Sequence, residues 1–122
     1  MSAAPVDPVH DHALGKPGAW LDSPWDGDLV AKVGPGERGK IFAFLGASTL
    51  GVKCGRTREE ADEWLDRYPE DTSVMAYIGR SGWNSLRVAG EIPVEELCEA
   101  IDESYDLVVA RMPRTDRPQH DS

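Results

Sequence analysis

The segment KIFAFLG, Lys40 to Gly46, constrains the fold of this chain more than any other stretch. Strand alternation puts Ile41, Ala43 and Leu45 on one face and Phe42 and Phe44 on the other, so both faces are apolar. Such a strand belongs in the middle of a sheet, or in a sheet whose second face meets a partner. Ahead of it, Leu29, Ala31 and Val33 alternate with Val30 and Lys32, and GPGERG supplies a turn, which predicts a hairpin. Beyond it, the Gly46-Ala47-Ser48 corner leads into TLGVKCG, where Leu50, Val52 and Cys54 share one face and Thr49, Gly51 and Lys53 the other. The expectation is a three-stranded antiparallel meander.

The period then changes from two to 3.6. Thr57-Arg58-Glu59-Glu60 is a capping box, in which the threonine oxygen accepts from an orphan amide and the glutamate reaches back. Ala61, Trp64, Leu65 and Tyr68 follow as one apolar stripe, which makes Trp64 a core residue, and Pro69 stops the helix. A loop through Met75, Tyr77 and Gly79 leads to WNSLRVAG, a fourth strand with Leu86 and Val88 inward and Trp83, Ser85 and Arg87 on the opposite face. Pro93 sits where a helix tolerates a missing donor. From there Val94, Leu97, Cys98, Ile101, Tyr105, Val108 and Met112 trace a stripe to Pro113, a helix of about 27 Å at about 1.5 Å per residue.

These elements predict an α+β domain, an antiparallel sheet of four or more strands packed by two principal helices in a two-layer sandwich. A short helix near residues 8–15 rests on Val9 and Leu14 and is ended by Gly15, Pro17 and Gly18. The single domain is expected over residues 13–113. Residues 1–12 and 114–122, polar and proline-bearing, are expected to be mobile ends.

A chain of 122 residues buries enough surface for one stable core without disulfide or metal. Cys54 and Cys98 form no CxxC pair and are expected as buried free thiols. The amino terminus has no basic segment followed by an apolar run, and eighteen consecutive apolar residues occur nowhere, so a soluble cytoplasmic monomer without membrane contact is expected. The net charge of −9 argues against a polyanion partner. Its distribution weakens that argument, because residues 91–122 hold nine of the 22 acids and only three of the 13 bases.

No catalytic constellation is visible, so an enzyme is not expected. Gly34 to Ile41 matches the spacing GxxxxGK of a phosphate loop, yet Ile41 replaces the magnesium-binding hydroxyl and a strand follows instead of a helix. His10, His12 and His120 all fall in the segments expected to be mobile, which leaves no histidine base for a serine or cysteine nucleophile. Glu95, Glu99, Asp102 and Asp106 form a carboxylate stripe opposite the apolar stripe, as a solvated helix face does. Neither a metal nor a cofactor is expected.

Four segments in order, KIFAFLG at 40–46, LGVKCG at 50–55, YIGRSGWNSLRV at 77–88 and IPVEELCEAIDESYDLVVARMP at 92–113, resemble the MmcQ/YjbR family. The likeness covers about residues 20–113, and its most specific pieces are Gly82-Trp83, Lys53-Cys54 and the last helix. It implies a CyaY-like fold of the double-wing type and a DNA-binding role. The ALGKPGAW stretch at 13–20 departs from the longer first helix usual in the family. Frataxin-like iron binding does not carry over, since the acids here crowd the last helix rather than the first.

Under the DNA-binding reading, Lys53, Arg56, Arg80 and Arg87 contact phosphates while Trp83 and Asn84 stack on and hydrogen-bond to bases. Lys53 and Arg87 lie on outward strand faces, and Gly79 and Gly82 let the Arg80 loop approach a backbone closely. The alternative is a protein-interaction or small-ligand module that uses Phe42, Phe44 and Val30 on an incompletely covered sheet face.

Overall fold

The computed structural model describes residues 7–23 and 29–118. Six strands form one antiparallel sheet in the order β1-β2-β3-β4-β6-β5: β1 Ala19–Asp22, β2 Val30–Val33, β3 Lys40–Leu45, β4 Thr49–Lys53, β5 Thr72–Val74 and β6 Trp83–Arg87. The helices are α1 Asp7–Leu14, α2 Arg58–Arg67 and α3 Val94–Ala110. The expected meander is β2-β3-β4, and β3 and β4 are the central strands. No helix among the described residues is long and apolar enough to cross a membrane.

Register assigns the faces. Leu45 pairs with Leu50 and Ala43 with Val52, while Val52 pairs with Asn84 and Leu50 with Leu86. That face is the core, closed by Leu97, Ala100, Ile101 and Tyr105 of α3. The opposite face carries Phe44, Gly51, Lys53, Trp83 and Ser85, which are paired in the same way.

Phe42 breaks the alternation. Ala31 pairs with Ala43 but Lys32 pairs with Ile41, so Phe42 is the extra residue of a β-bulge. Its ring is fully buried on the core side and meets Tyr105 edge-on at 5.2 Å. The expectation that Phe42 shares a face with Phe44 is therefore corrected, because a bulge shifts the period-two count by one. Ser104 of α3 restores the local hydrogen bonding. Its hydroxyl donates to the Phe42 carbonyl at 2.6 Å and accepts from the Lys53 amide at 2.9 Å, standing in for a direct ladder bond.

The ends are more ordered than the composition implies. The short helix expected near residues 8–15 is α1, and it takes in residues expected to be mobile; Val9 and Ala13 are fully buried, and His12 and Lys16 both reach Asp102 of α3, at 2.8 and 2.9 Å. His12 thus lies in the folded domain, where it ties two helices together, and Asp102 leaves the solvated stripe to do the same. At the other end, Arg114–Asp116 forms a 3-10 turn and the buried Asp116 takes Arg38 in a bidentate pair, with contacts of 3.0 Å from Nε to Oδ2 and from Nη2 to Oδ1. His120 lies outside the described residues.

Local signals hold at the other helices with small changes. Thr57 caps α2 by accepting from the Glu60 amide at 3.1 Å, but the Glu60 carboxylate accepts from the Arg56 amide rather than from the cap itself. Pro93 stands at the N-cap of α3. Trp64 is buried, and Arg67 lies over its ring at 4.9 Å. Both cysteines are free thiols; Cys54 is buried, whereas Cys98 is only half-buried.

Candidate nucleic-acid interface

Where β4 ends and β6 begins, Lys53 and Trp83 are register partners on the face opposite the core. Cross-strand neighbours of this kind have α-carbons about 4.5–5.5 Å apart. The sequence reason is local: Gly55 and Gly82 let the two chain segments touch just beyond the strands. A β-carbon at Gly82, where φ is +101°, would lie 2.3 Å from the Gly55 carbonyl oxygen, so only glycine fits. The Cys54 amide donates to the Gly82 carbonyl at 2.7 Å and closes the junction.

Lys53 is not the exposed residue that strand alternation implies. Only 7% of it is accessible, and its ammonium donates to the Ser81 carbonyl in the 3-10 turn Gly79–Ser81. Burial, and secondarily the field of Arg111, hold its pKa below the ordinary lysine value of 10.5. Around this residue opens a cleft of about 440 Å³ lined by Lys40, Ile41, Lys53, Ser81, Trp83, Val108, Arg111 and Met112. Three of these eight carry positive charge and none carries a carboxylate. Asp116, whose field reaches Lys40, is already paired with Arg38.

Trp83 is half-buried, with its ring edge-on to Phe44 at 5.7 Å. It therefore packs on the sheet and lines the cleft at once. Arg80 is exposed in the Gly79–Ser81 turn, and the turn carbonyl of Gly79 is held by Arg58 at 2.6 Å.

The other residues named from the sequence do not join this group. Asn84 is fully buried on the core side, where its amide donates to the Ala61 carbonyl at 2.9 Å and its oxygen accepts from Arg58. No nucleobase reaches it. Period two places Asn84 opposite Trp83 in facing, so a hydrogen-bonding role beside that ring is geometrically closed. Arg87 faces the same side as Lys53 but sits four residues along β6 from Trp83, about 13 Å away, beside Asp71 at 3.6 Å. Arg56 is exposed and pairs with Glu60 at 3.3 Å.

The acids nearest this end of the sheet gather in a separate hollow lined by Cys54, Thr57, Glu59, Glu60, Glu63, Trp64 and Glu103. Burial raises the Glu103 carboxyl above its ordinary value, and Glu60, Glu63 and Asp106 add to the effect. Burial also pushes the Cys54 thiol up to about 12, which leaves it unreactive at neutral pH. No group of three or more His, Cys, Asp or Glu is placed to hold a metal among the described residues.

Sequence reasoning missed Lys40, Ile41 and Arg111, because they come from the start of one strand and the end of a helix distant in sequence. It also missed Arg58 and Ser104, whose hydrogen bonds fix the turn and the end of β4.

A family model described as YjbR matches residues 14–107. Among solved structures, the chain is similar to a Deinococcus radiodurans protein with a DUF419 domain. The TM-score is 0.80 and the identity 22%, over 91% of this chain and 83% of the other, which is a likeness of fold. No curated protein sequence matches the chain.

Proposed function

The chain belongs to the YjbR family, and from that premise we propose that it is a monomeric, cytoplasmic, non-enzymatic DNA-binding domain. It meets the phosphate backbone at the cleft between the end of β4, the start of β3 and the end of α3. One observation carries the reading: in a chain of net charge −9, Lys40, Lys53 and Arg111 converge on a cleft whose lining includes no acid. Phosphate oxygens are the natural complement of such a group, and Trp83 in the same wall offers an apolar surface to sugar or base.

The net charge shapes how binding would work. Long-range attraction is absent or adverse, so the complex depends on short-range contacts that neutralise a few phosphates. Low affinity with a modest salt slope is the expected signature.

The apolar-face alternative is weaker than the sequence implied. Phe42 is buried under α3, which leaves Phe44 as the phenylalanine of the face, and its ring already packs on Trp83.

The test is a fluorescence-anisotropy titration of labelled DNA over a range of salt, with wild type and with Lys40→Gln/Arg111→Gln. Both residues are exposed, so the variant should fold. Each lost cation should weaken binding uniformly across sequences and lower the salt slope by about 1. Arg87→Ala should bind as wild type does. Absence of binding at low salt, or a double variant indistinguishable from wild type, removes the proposal.

A further inference from the structure

Tyr77 is the most exposed large hydrophobic side chain among the described residues, with 98% of its surface accessible. Its backbone is equally unusual. φ is +68°, a region that bulky residues rarely enter, and the Ile78 amide donates to the Ala76 carbonyl across it at 2.7 Å. That is a three-residue γ-turn of the positive-φ kind, rare and strained when its central residue is not glycine. Nothing in packing accounts for a tyrosine there, since its ring is in solvent. Strained positions of this kind cluster where a side chain is presented to a ligand.

The turn is anchored on both sides. Before it, the Met75 amide donates to the Trp83 carbonyl at 3.2 Å, and after it Ser81 receives the Lys53 ammonium. Tyr77 is therefore four residues from a wall of the cationic cleft, at most about 14 Å along the chain. A strand whose phosphates occupy the cleft would have a neighbouring nucleotide within reach of the ring.

We propose that Tyr77 is a stacking platform and that the nucleic acid held at the cleft is single-stranded. The proposal rests on the DNA-binding reading and narrows it. A flat ring displayed on a loop tip needs an exposed base face, and in a duplex those faces are covered by neighbouring pairs. Charge points the same way. A chain of net charge −9 is repelled less by a single strand than by a duplex, whose two backbones double the linear charge density.

The experiment compares a labelled single-stranded oligonucleotide, its duplex and the matching RNA strand by anisotropy at low salt, using wild type, Tyr77→Ala, Tyr77→Gly and Tyr77→Phe. Glycine tolerates positive φ, so Tyr77→Gly should melt no lower than wild type and serves as the folding control. Wild type should prefer a single strand over the duplex by about tenfold or more. Removing the ring should cost about tenfold on the single strand with the salt slope unchanged, and Tyr77→Phe should retain binding. Similar DNA and RNA affinities would support stacking without sugar readout.

Equal or tighter binding of the duplex overturns the proposal while leaving the DNA-binding reading in place, as do Tyr77→Ala and Tyr77→Gly variants that bind like wild type. Wild type that binds none of the three strands overturns both.

Discussion

The Lys53 amide and the Phe42 carbonyl are joined through one hydroxyl, that of Ser104, so the end of β4 is fixed by a helix residue rather than by the sheet alone. The register of β4 on β3 ends at the Val52–Ala43 pair, one short of Lys53 and Phe42, and α3 supplies the link between those two. Packing of the core face thereby positions a cation on the opposite face.

Ser104→Ala should expose this dependence. Two buried backbone groups lose their partner, so the fold should weaken by about 1–3 kcal/mol in urea denaturation. DNA affinity should fall as well, although Ser104 lies on the core side and touches no ligand. Unchanged stability would show that the ladder re-forms directly.

Asn84→Ala tests the reassignment of that residue. It strands the Ala61 carbonyl and one Arg58 nitrogen, and should destabilise the domain by about 2–4 kcal/mol. The salt slope of binding should stay as in wild type for the folded fraction. A variant of native stability that loses DNA binding would return Asn84 to the interface.

Lys53 gives the interface a pH dependence of definite sign. Its pKa is lowered in the fold, so at the alkaline end it loses its proton before an ordinary lysine with a value of 10.5 would. Phosphate favours the protonated form, and affinity should therefore decline as pH rises through that lowered value. Fold stability moves the other way, rising with pH in the same window, because the unfolded chain holds the proton more tightly. Lys53→Arg should flatten the affinity profile there.

Asp116 sets an acid limit on the carboxy-terminal turn. Its hydrogen bonds from Arg38 are the main cause that holds its carboxyl below the ordinary value of 3.8, with burial opposing them. The pairing contributes stability that is fully present above that pH and is lost as pH falls through the folded value. Asp116→Asn should remove this part of the acid transition in a melting series taken downward from neutral pH.

Period and capping made the main elements legible in the sequence. KIFAFLG, the Thr57 cap and the Leu97–Tyr105 stripe each carry their own local signal, and each stands where that signal puts it. β1 and β5, of four and three residues, carry no apolar alternation that the sequence shows, and each is an edge strand held by pairing with one neighbour, β2 and β6. Phe42 changed face because a bulge is a property of two strands together. Val9 and Leu14 marked the first helix, whereas the composition of residues 1–12 and 114–122 hid the partners that His12 and Asp116 find 90 and 78 residues away. Of the interface, Lys53 and Trp83 were legible as outward-facing strand residues; their pairing across β4 and β6, and the approach of Lys40 and Arg111, come only from the tertiary fold.

Amide and indole NMR of the labelled protein, titrated with a short single-stranded oligonucleotide at low salt, tests the interface most directly. Shifts are expected at the Trp83 indole and at the amides of Lys40, Lys53, Ser81 and Arg111, with Arg87 and the Glu60–Glu63 hollow unmoved. Shifts centred on Arg87 or on that hollow, or a spectrum that stays unchanged throughout the titration, would contradict this interface.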